Sequence, residues 1–148
     1  MCRGFLYGGN MRLIFLAERF YNAHRDHREI MQKQDRPYAC LSVQIDGHTF
    51  AIPFRHHIEH KYCFRTVGTC GLDYSKAVII TEADVGEGMP QIDQKEFEAI
   101  KGKEQILANG MRRYVQTYKK AMERKGNPFY ENIRRYSALQ YFDDMIQR

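Results

Sequence analysis

The chain has 148 residues, of which 43% are hydrophobic, so it is long enough to form one compact domain with its own core. It holds no run of about 18 apolar residues, and its first ten residues lack the charged start, apolar stretch and small-residue cleavage site of a secretory signal. These features argue against the membrane and secreted classes of protein, and we expect a cytoplasmic protein.

The net charge of +5 arises in the C-terminal third of the chain. From Lys95 onward there are twelve Lys and Arg against seven Asp and Glu, whereas the residues before it hold eleven of each. A basic region of this kind predicts a polyanionic partner, most often a nucleic acid. The solvated outer face of a helix would give the same composition, so charge alone leaves both interpretations open.

The four cysteines do not form a metal-binding or disulfide pattern. No Cys-x-x-Cys pair occurs among Cys2, Cys40, Cys63 and Cys70. Cys40 lies in an apolar run, which predicts a small core residue. We therefore expect reduced thiols, as in most cytosolic proteins.

The first ten residues differ in pattern from the rest of the chain. Two glycines and an asparagine directly precede Met11, at which a periodic apolar pattern begins. We therefore expect residues 1–10 to be a non-native or misassigned extension, and residues 11–148 to form the single domain.

In chain order, the apolar spacing predicts first a strand and then a helix. Residues 12–16 are a short apolar run typical of a strand. Residues 18–28 place Phe20 and Tyr21 on one face and charges on the other, as in an amphipathic helix. A polar break then ends at Pro37, and the residue before a proline is biased towards extended geometry.

The next pattern predicts a hairpin. Residues 38–45 alternate between aliphatic side chains and a second, mixed set, as in a strand. Asp46-Gly47 is a strong turn signal because both positions can take positive φ. Residues 48–52 are then the returning strand, and Pro53 is expected to end regular pairing because it has no N–H to donate.

Short strands and then helices are predicted for the rest of the chain. Strands are expected at residues 61–66 and 77–81, with a turn-rich segment at 67–74 and a loop at 86–90.

Two helices are predicted in the C-terminal part of the chain. The first carries apolar residues at helical spacing over residues 107–122 and ends at the Gly-Asn-Pro of residues 126–128, and the second is expected at about residues 129–145.

This order of elements predicts an α+β protein. We expect a small, twisted antiparallel sheet with helices packed on it. The sequence has no glycine-rich phosphate loop and no parallel βαβ rhythm, which argues against the doubly wound nucleotide-binding folds.

Residues 53–61 concentrate side chains suited to the cleavage of RNA. They include half of the six histidines and begin where a predicted strand ends. When the 2′-hydroxyl of RNA attacks the adjacent phosphorus, the reaction needs a base, an acid for the leaving 5′-oxygen, and fixed positive charge at the phosphate. Imidazole transfers protons near neutral pH, and guanidinium binds phosphate through two parallel hydrogen bonds. Arg55, His56 and His57 supply both groups.

Two other functions remain open for the same residues. His56 and His60 are four residues apart and could be metal ligands on one helical face, so a metal-dependent hydrolase using His56, His57 and His60 is one alternative. A surface loop that only holds phosphate, in a non-catalytic RNA-binding module, is the other. Isolated histidines are more often structural, which is the role expected of His24, His27 and His48.

Several short segments, in their order and spacing, resemble one known family. They are Arg-Pro-Tyr at 36–38, Ile-Asp-Gly-His at 45–48, Ala-Ile-Pro-Phe-Arg at 51–55, Gly-Leu-Asp-Tyr-Ser-Lys-Ala-Val-Ile-Ile at 71–80 and Tyr-Ser-Ala-Leu-Gln-Tyr-Phe at 136–142. From Met11 onward the chain is thereby similar to the type III toxin–antitoxin toxins of the ToxN, AbiQ and CptN group, with the closest likeness to the CptN branch.

The resemblance implies a compact, strongly twisted antiparallel sheet with helices, similar to the MazF/Kid toxins. It implies a sequence-selective endoribonuclease that uses no metal or other cofactor and leaves 2′,3′-cyclic phosphate and 5′-hydroxyl ends. The implied partners are target messenger RNA and a pseudoknot antitoxin RNA, which the toxin cuts from a repeated precursor and binds in a closed protein–RNA assembly. The implied role is growth arrest, often in phage abortive infection.

Residue roles carry over from the family only in part. Arg36 matches a lysine of ToxN-like members, so a phosphate or base contact is expected there. Arg55 and His56 stand where those members have a pair of hydroxyl residues, and Ile58 stands where a lysine is usual, so the catalytic roles are assigned from chemistry instead. We expect His57 to be the leading base or acid, His56 its partner, and Arg55 the group that stabilises charge at phosphorus.

RNA contacts are expected from cations and aromatic rings. Lys61 and Arg36 would hold flanking phosphates, and Tyr38 and Lys76 are further candidates. The outer face of the first C-terminal helix adds a basic surface made of Arg112, Arg113, Lys119, Lys120 and Arg124. Bases of single-stranded RNA stack on aromatic rings, and the available tyrosines are Tyr21, Tyr38, Tyr62, Tyr114, Tyr118 and Tyr130.

Overall fold

The computed structural model describes residues 11–33 and 37–147. The extension expected at residues 1–10 and the candidate phosphate contact Arg36 lie outside the described residues. The strands within them are β1 (Met11–Phe15), β2 (Ala39–Ile45), β3 (His48–Arg55), β4 (Cys63–Arg65), β5 (Gly71–Asp73) and β6 (Val78–Ile80). The α-helices are α1 (Glu18–Ala23), α2 (Gln94–Ile100), α3 (Glu104–Glu123), α4 (Pro128–Arg135) and α5 (Asp143–Ile146), with 3₁₀ turns at Tyr74–Lys76, Glu82–Asp84 and Ala138–Phe142.

The strands pair antiparallel in one sheet, in which β3 has the most neighbours. β2 pairs with β3 along residues 48–53 and connects it to β1. β6 pairs with residues 49–51 of β3, whereas β5, which is followed in the sheet by β4, pairs with residues 54–55. The predicted α+β class and the antiparallel sheet with helices are confirmed for the described residues.

The predicted hairpin between β2 and β3 is confirmed. Ile45 pairs with His48 across a two-residue turn, and both turn residues have positive φ, 52° at Asp46 and 85° at Gly47. The alternation predicted for β2 is present, but both of its faces are largely buried, including Cys40 in the core.

The prediction that Pro53 ends regular pairing is confirmed for the pairing with β2 but is wrong for the strand as a whole. Pro53 lies in register with Cys40 of β2, and β3 continues to Arg55. A proline is tolerated here because the strand changes neighbours at this point. Pairing with β6 ends at Ala51, pairing with β2 ends at Pro53, and pairing with β5 begins at Phe54. Pro53, which lacks an N–H, therefore lies where pairing with β2 ends and pairing with β5 begins. Because the strand continues beyond it, Arg55 pairs with β5.

The segment at residues 67–74, predicted to be turn-rich, includes the strand β5. This strand pairs with both β3 and β4. A Cβ at Gly71 would lie 2.3 Å from the carbonyl oxygen of Phe64 in β4, so the close approach of the two strands requires glycine. β5 has only three residues and begins with a glycine, so it shows too little alternation to be predicted from the sequence.

The second predicted C-terminal helix, at residues 129–145, is broken into α4, a 3₁₀ turn and α5. Ser137 lies at the break. Its hydroxyl oxygen accepts hydrogen bonds from the backbone N–H of Leu139 (3.2 Å) and from the hydroxyl of Tyr114 in α3 (2.8 Å). These bonds favour a cap at Ser137 over a continuous helix.

Two smaller differences concern the other helices. α1 ends at Ala23 rather than at residue 28, because the chain then forms turns in which the N–H of His27 donates to the carbonyl of His24 (3.1 Å). The sequence pattern does not predict α2, which Asp93 caps by accepting the N–H of Lys95 (3.0 Å). Among the described helices, none is long and apolar enough to cross a membrane.

Tyr74 attaches α3 to the sheet. It directly follows β5, and its hydroxyl donates to the carbonyl of Leu107 in α3 (3.1 Å). Burial raises the pKa of Tyr74 to about 12, so the hydroxyl stays protonated and remains a donor. A Cβ at Gly110 would come within 2.3 Å of the Tyr74 hydroxyl oxygen, so glycine at this position lets the ring pack against the helix. This contact fixes the position of α3 relative to β4 and β5.

Candidate nucleic-acid interface

A buried carboxylate lies at the end of β5. Asp73 is 0% exposed, and it accepts hydrogen bonds from Arg55 Nη1 (2.6 Å) and Ser75 Oγ (2.6 Å). The backbone N–H of Ser75 donates a third bond (2.9 Å), and His60 Nε2 lies 3.2 Å from the carboxylate. We name Arg55, His60, Asp73 and Ser75 the Asp73 cluster.

The cluster keeps Asp73 charged. Burial alone would raise the pKa of Asp73, but the hydrogen bonds from His60, Ser75 and Arg55 outweigh burial and hold the pKa below its usual value. A buried carboxylate is tolerated when it is paired in this way. Much of the positive charge of Arg55 therefore offsets Asp73, although about one third of the Arg55 side chain remains exposed.

His60 is held at both ring nitrogens. Its Nδ1 accepts the backbone N–H of Tyr62 (3.0 Å), so the proton of the neutral ring lies on Nε2, which is 3.2 Å from Asp73 and 3.3 Å from Ser75 Oγ. This differs from the Ser–His–Asp arrangement of hydrolases, in which the serine and the carboxylate face opposite nitrogens of the ring. Both ring nitrogens of His60 are thus engaged within the protein, and His60 positions the loop.

The two predicted catalytic histidines lie on the exposed part of the same loop. His56 Nδ1 is 3.0 Å from Cys70 Sγ, and the ring centroids of His56 and His57 are 6.5 Å apart. Within the described chain, neither ring nitrogen of His57 has a hydrogen-bond partner. Its φ of 57° is in the left-handed region that few residues other than glycine adopt. The loop thus orients His56 through a neighbour and leaves His57 open to exchange protons.

The alternative metal site does not form among the described residues. His56 faces Cys70 and His60 faces Asp73, so the histidines of that alternative do not converge. No three His, Cys, Asp or Glu side chains of the described chain are grouped so that they could hold a metal ion.

Two adjoining cavities lie between the loop around Tyr62 and the helices α3 and α4. The first has a volume of about 290 Å³ and is mostly apolar. Its lining residues are His60, Tyr62, Ser75, Tyr114, Phe129, Asn132, Ile133 and Tyr136. The second has a volume of about 390 Å³. Its lining residues are Lys61, Tyr62, Arg113, Gln116, Thr117, Lys120, Phe129 and Tyr130. We name them the apolar pocket and the basic pocket, and both together the groove.

Aromatic rings join the two pockets. Tyr62 and Phe129 line both of them. The ring of Tyr62 is edge-on to Tyr114 (centroids 5.6 Å apart), and that of Phe129 is edge-on to Tyr130 (5.0 Å). Lys61 Nζ lies 5.6 Å from the centre of the Tyr62 ring. Cations and rings therefore lie side by side along the groove, which suits a ligand with both negative charge and aromatic groups.

The structure brings some of the predicted RNA-binding cations together. Lys61, Arg113 and Lys120 all line the basic pocket. The guanidinium carbon of Arg124 lies 6.0 Å from the ring centre of Tyr130, which lines the same pocket. Of these four cations, Lys61 belongs to the loop, Arg113 and Lys120 to the outer face of α3, and Arg124 directly follows that helix.

The other two cations of α3 lie elsewhere. Arg112 Nη1 donates to the side-chain oxygen of Asn109 (2.8 Å). Lys119 lines a separate small cavity with Asp46 and His48. Contact of Arg112 or Lys119 with RNA stays a prediction, and neither residue lines the groove.

Lys76 and Tyr38 are engaged with the fold. Lys76 is 16% exposed, and its ammonium donates to Glu29 (2.6 Å) and to a backbone carbonyl of the C-terminal region (2.8 Å). The ring of Tyr38 is edge-on to Tyr21 (5.9 Å), and its hydroxyl donates to the carbonyl of Met31. Their contact with RNA also stays a prediction.

Sequence reasoning missed much of the groove and of the cluster behind it. The missed residues are Asp73, Ser75, Phe129, Asn132 and Tyr136. Of these only Asp73 had a local signal, since an Asp whose side chain accepts the N–H two residues on is typical of a turn or cap. That signal predicts a turn and not a site; the other side chains acquire a common role only through tertiary packing.

Comparisons of the chain with protein-family models, with curated proteins and with solved structures give no match.

The Asp73 cluster predicts a specific dependence of stability on pH. Because the folded-state pKa of Asp73 is lowered, its charge stabilises the fold above the unfolded carboxyl pKa of about 3.9, and that contribution is lost as pH falls through the folded value. Asp73→Asn should lower the free energy of unfolding at neutral pH by roughly 3 kcal/mol and make its decline in acid shallower. Urea unfolding at neutral and acidic pH measures both effects.

The exposed carboxylate variant Asp144→Asn is the control for this experiment and should follow the wild type. An identical pH dependence in wild type and Asp73→Asn would contradict the assignment of the buried charge.

Proposed function

We propose that the protein is a metal-independent endoribonuclease that binds single-stranded RNA in the groove and cuts it at the adjoining histidine loop. The observation that carries the proposal is that one short loop, residues 56–62, supplies the two exposed histidines and also one wall of the groove. The same segment would therefore hold the RNA and place it for cleavage.

The groove has the chemistry needed to bind single strands. Lys61, Arg113 and Lys120 surround the basic pocket, where they can neutralise phosphates. The rings of Tyr62 and Phe129 offer faces on which unpaired bases can stack. A duplex keeps its bases stacked on one another, so this arrangement favours single-stranded regions and loops.

The proposed reaction uses the two exposed histidines as base and acid. One imidazole takes the proton of the 2′-hydroxyl, the 2′-oxygen bonds to phosphorus, and the other imidazole protonates the leaving 5′-oxygen. The products are a 2′,3′-cyclic phosphate and a 5′-hydroxyl. We assign His57 to one of these steps because its ring nitrogens are open, and His56 to the other.

Arg55 is proposed to stabilise the charge that develops on the phosphate oxygens. One of its N–H groups is held by Asp73, which fixes the guanidinium in place. The exposed third of the side chain leaves other N–H donors for phosphate. A preorganised guanidinium of this kind contributes to catalysis without having to reorient during the reaction.

We further propose that this activity is that of a type III toxin, as the sequence resemblance implies. A pseudoknot antitoxin RNA would then occupy the groove, exclude target messenger RNA and complete a closed protein–RNA assembly. The antiparallel sheet with helices is consistent with this proposal. The sequence segments that carry the resemblance support it, and so does the basic pocket, which suits a polyanionic partner.

A second candidate function is a non-catalytic RNA-binding module. Two observations favour it: His56 and His57 do not line the groove, and Arg55 is paired with Asp73. In that case the groove would bind RNA and release it intact. Only a cleavage assay separates the two functions, because both predict binding that weakens with salt.

His57→Asn tests the catalytic assignment. Asparagine tolerates a positive φ better than most residues and cannot transfer a proton, so the variant should keep the loop conformation. We expect the rate of RNA cleavage in EDTA to fall by about 10²- to 10⁴-fold while RNA affinity is unchanged. Gel-based cleavage and fluorescence polarisation measure the two quantities.

His48→Asn is the matched control, because His48 begins β3 and lines a separate cavity. It should cleave like the wild type. Full activity of His57→Asn would remove His57 from the mechanism.

Lys119→Ala and Lys120→Ala test the groove as the RNA-binding surface. The two lysines are adjacent and exposed on α3, but only Lys120 lines the basic pocket. Lys120→Ala should weaken binding and reduce the slope of log affinity against log salt by about 0.7. Lys119→Ala should change both the affinity and the slope by less, because Lys119 lies outside the groove. Salt titrations by fluorescence polarisation measure both slopes, and equal effects of the two substitutions would place the RNA elsewhere.

A further inference from the structure

The apolar pocket takes no part in the proposed proton transfers, and the proposed function assigns it no contact more specific than stacking on Tyr62 and Phe129. We propose that it binds one unpaired base of the RNA, which stacks on the aromatic rings of the pocket while its edge hydrogen-bonds Asn132. This inference rests on the proposed function in one respect, since it takes RNA as the ligand, and it adds a site that discriminates among bases.

The size and walls of the apolar pocket suit a single base. Its volume of about 290 Å³ is just below the range for small-molecule sites, about 300–1,000 Å³, so it has room for a planar heterocycle of the size of a base. Tyr62, Phe129 and Tyr136 supply aromatic walls. Phe129 is 57% exposed and Tyr136 is 54% exposed, so two large rings face solvent beside the same cavity. Exposed apolar surface grouped in this way marks a ligand site.

Two hydroxyl groups that line the floor of the pocket already have hydrogen-bond partners within the protein. The Tyr114 hydroxyl donates to Ser137 (2.8 Å), and the Ser75 hydroxyl donates to Asp73 (2.6 Å). Ile133 completes the lining. Because these polar atoms have their partners inside the protein, a base can cover the floor without leaving a buried donor or acceptor unpaired.

Three lining side chains have polar groups with no hydrogen-bond partner within the described chain, namely the hydroxyls of Tyr62 and Tyr136 and the amide of Asn132. Asn132 is exposed at the pocket. An amide places a donor and an acceptor side by side, as the edge of each base also does. Asn132 is therefore the residue that would distinguish one base from another.

Charge identifies the ligand as a nucleotide rather than an uncharged aromatic compound. The apolar pocket continues past Tyr62 and Phe129 into the basic pocket, where Lys61, Arg113 and Lys120 are grouped. A nucleotide has the matching arrangement, with a planar base joined to a phosphate. A chain of nucleotides would keep its backbone along the cations and turn one base into the apolar pocket.

The test uses the full chain and short oligonucleotides in which every unit but one is an abasic, uncleavable spacer. Four probes carry a single A, C, G or U, and a fifth is abasic throughout. Fluorescence polarisation gives the affinity of the wild type for each probe. The variants are Phe129→Ala, Asn132→Ala, Lys120→Ala and the control Ile106→Ala, which removes a similarly exposed apolar side chain outside the groove.

We expect the wild type to bind at least one single-base probe about 5- to 140-fold more tightly than the abasic probe, which is the range for stacking one base. Phe129→Ala should abolish this preference for a base, and Asn132→Ala should reduce the differences among A, C, G and U. Lys120→Ala should weaken binding of all five probes by a similar factor. Ile106→Ala should match the wild type.

Three results would overturn the inference. Equal affinity of the wild type for the abasic and single-base probes would show that the pocket takes no base, while cleavage of ordinary RNA in EDTA would leave the proposed function intact. A preference for a base that persists in Phe129→Ala and Asn132→Ala would place the base elsewhere. Absence of binding to ordinary single-stranded RNA would remove both the inference and the proposed function.

Discussion

The arrangement of the site depends on one buried charge. Asp73 is fully enclosed, and its carboxylate is tolerated there because Arg55, His60 and Ser75 donate to it or lie within hydrogen-bonding distance. These partners belong to the end of β3, to the loop after it and to the turn after β5. A single carboxylate thus ties the turn after β5 to two contacts that lie 13 and 18 residues earlier in the chain, and it sets the path of the loop that carries His56 and His57.

The position of the groove depends on the same buried carboxylate. β3 continues past Pro53 and pairs with β5, and this places Arg55 beside Asp73. His60 is held at both ring nitrogens, and this places Tyr62 at the wall of the groove. Tyr74, one residue after Asp73, anchors α3 through the carbonyl of Leu107 and brings the basic face of that helix opposite the loop. The loop histidines, the cations and the aromatic rings are therefore positioned relative to one buried centre.

The sequence predicted the features that depend on local chemistry. The Asp46-Gly47 turn, the alternation of β2 and the α+β class arise from spacing and turn residues, and they are confirmed. Predictions from the sequence were wrong where tertiary contacts determine the local structure. Pro53 remains in a strand because its neighbours change there, and Gly71 belongs to a strand because a close backbone approach requires it. The residues of the candidate site fall into the same two groups, those that the sequence predicts and those that only tertiary contacts bring together. Lys61, Arg113 and Lys120 could be predicted from charge, whereas Asp73, Phe129 and Asn132 share a site only through packing.

The central claim is that the protein cleaves RNA through its own side chains. The most direct measurement is to incubate single-stranded RNA with the purified wild-type protein in EDTA and determine the chemistry of the new ends. Attack by the 2′-hydroxyl predicts cleavage that leaves 2′,3′-cyclic phosphate and 5′-hydroxyl ends. Intact RNA in EDTA, or products with 3′-hydroxyl and 5′-phosphate ends, would contradict the account.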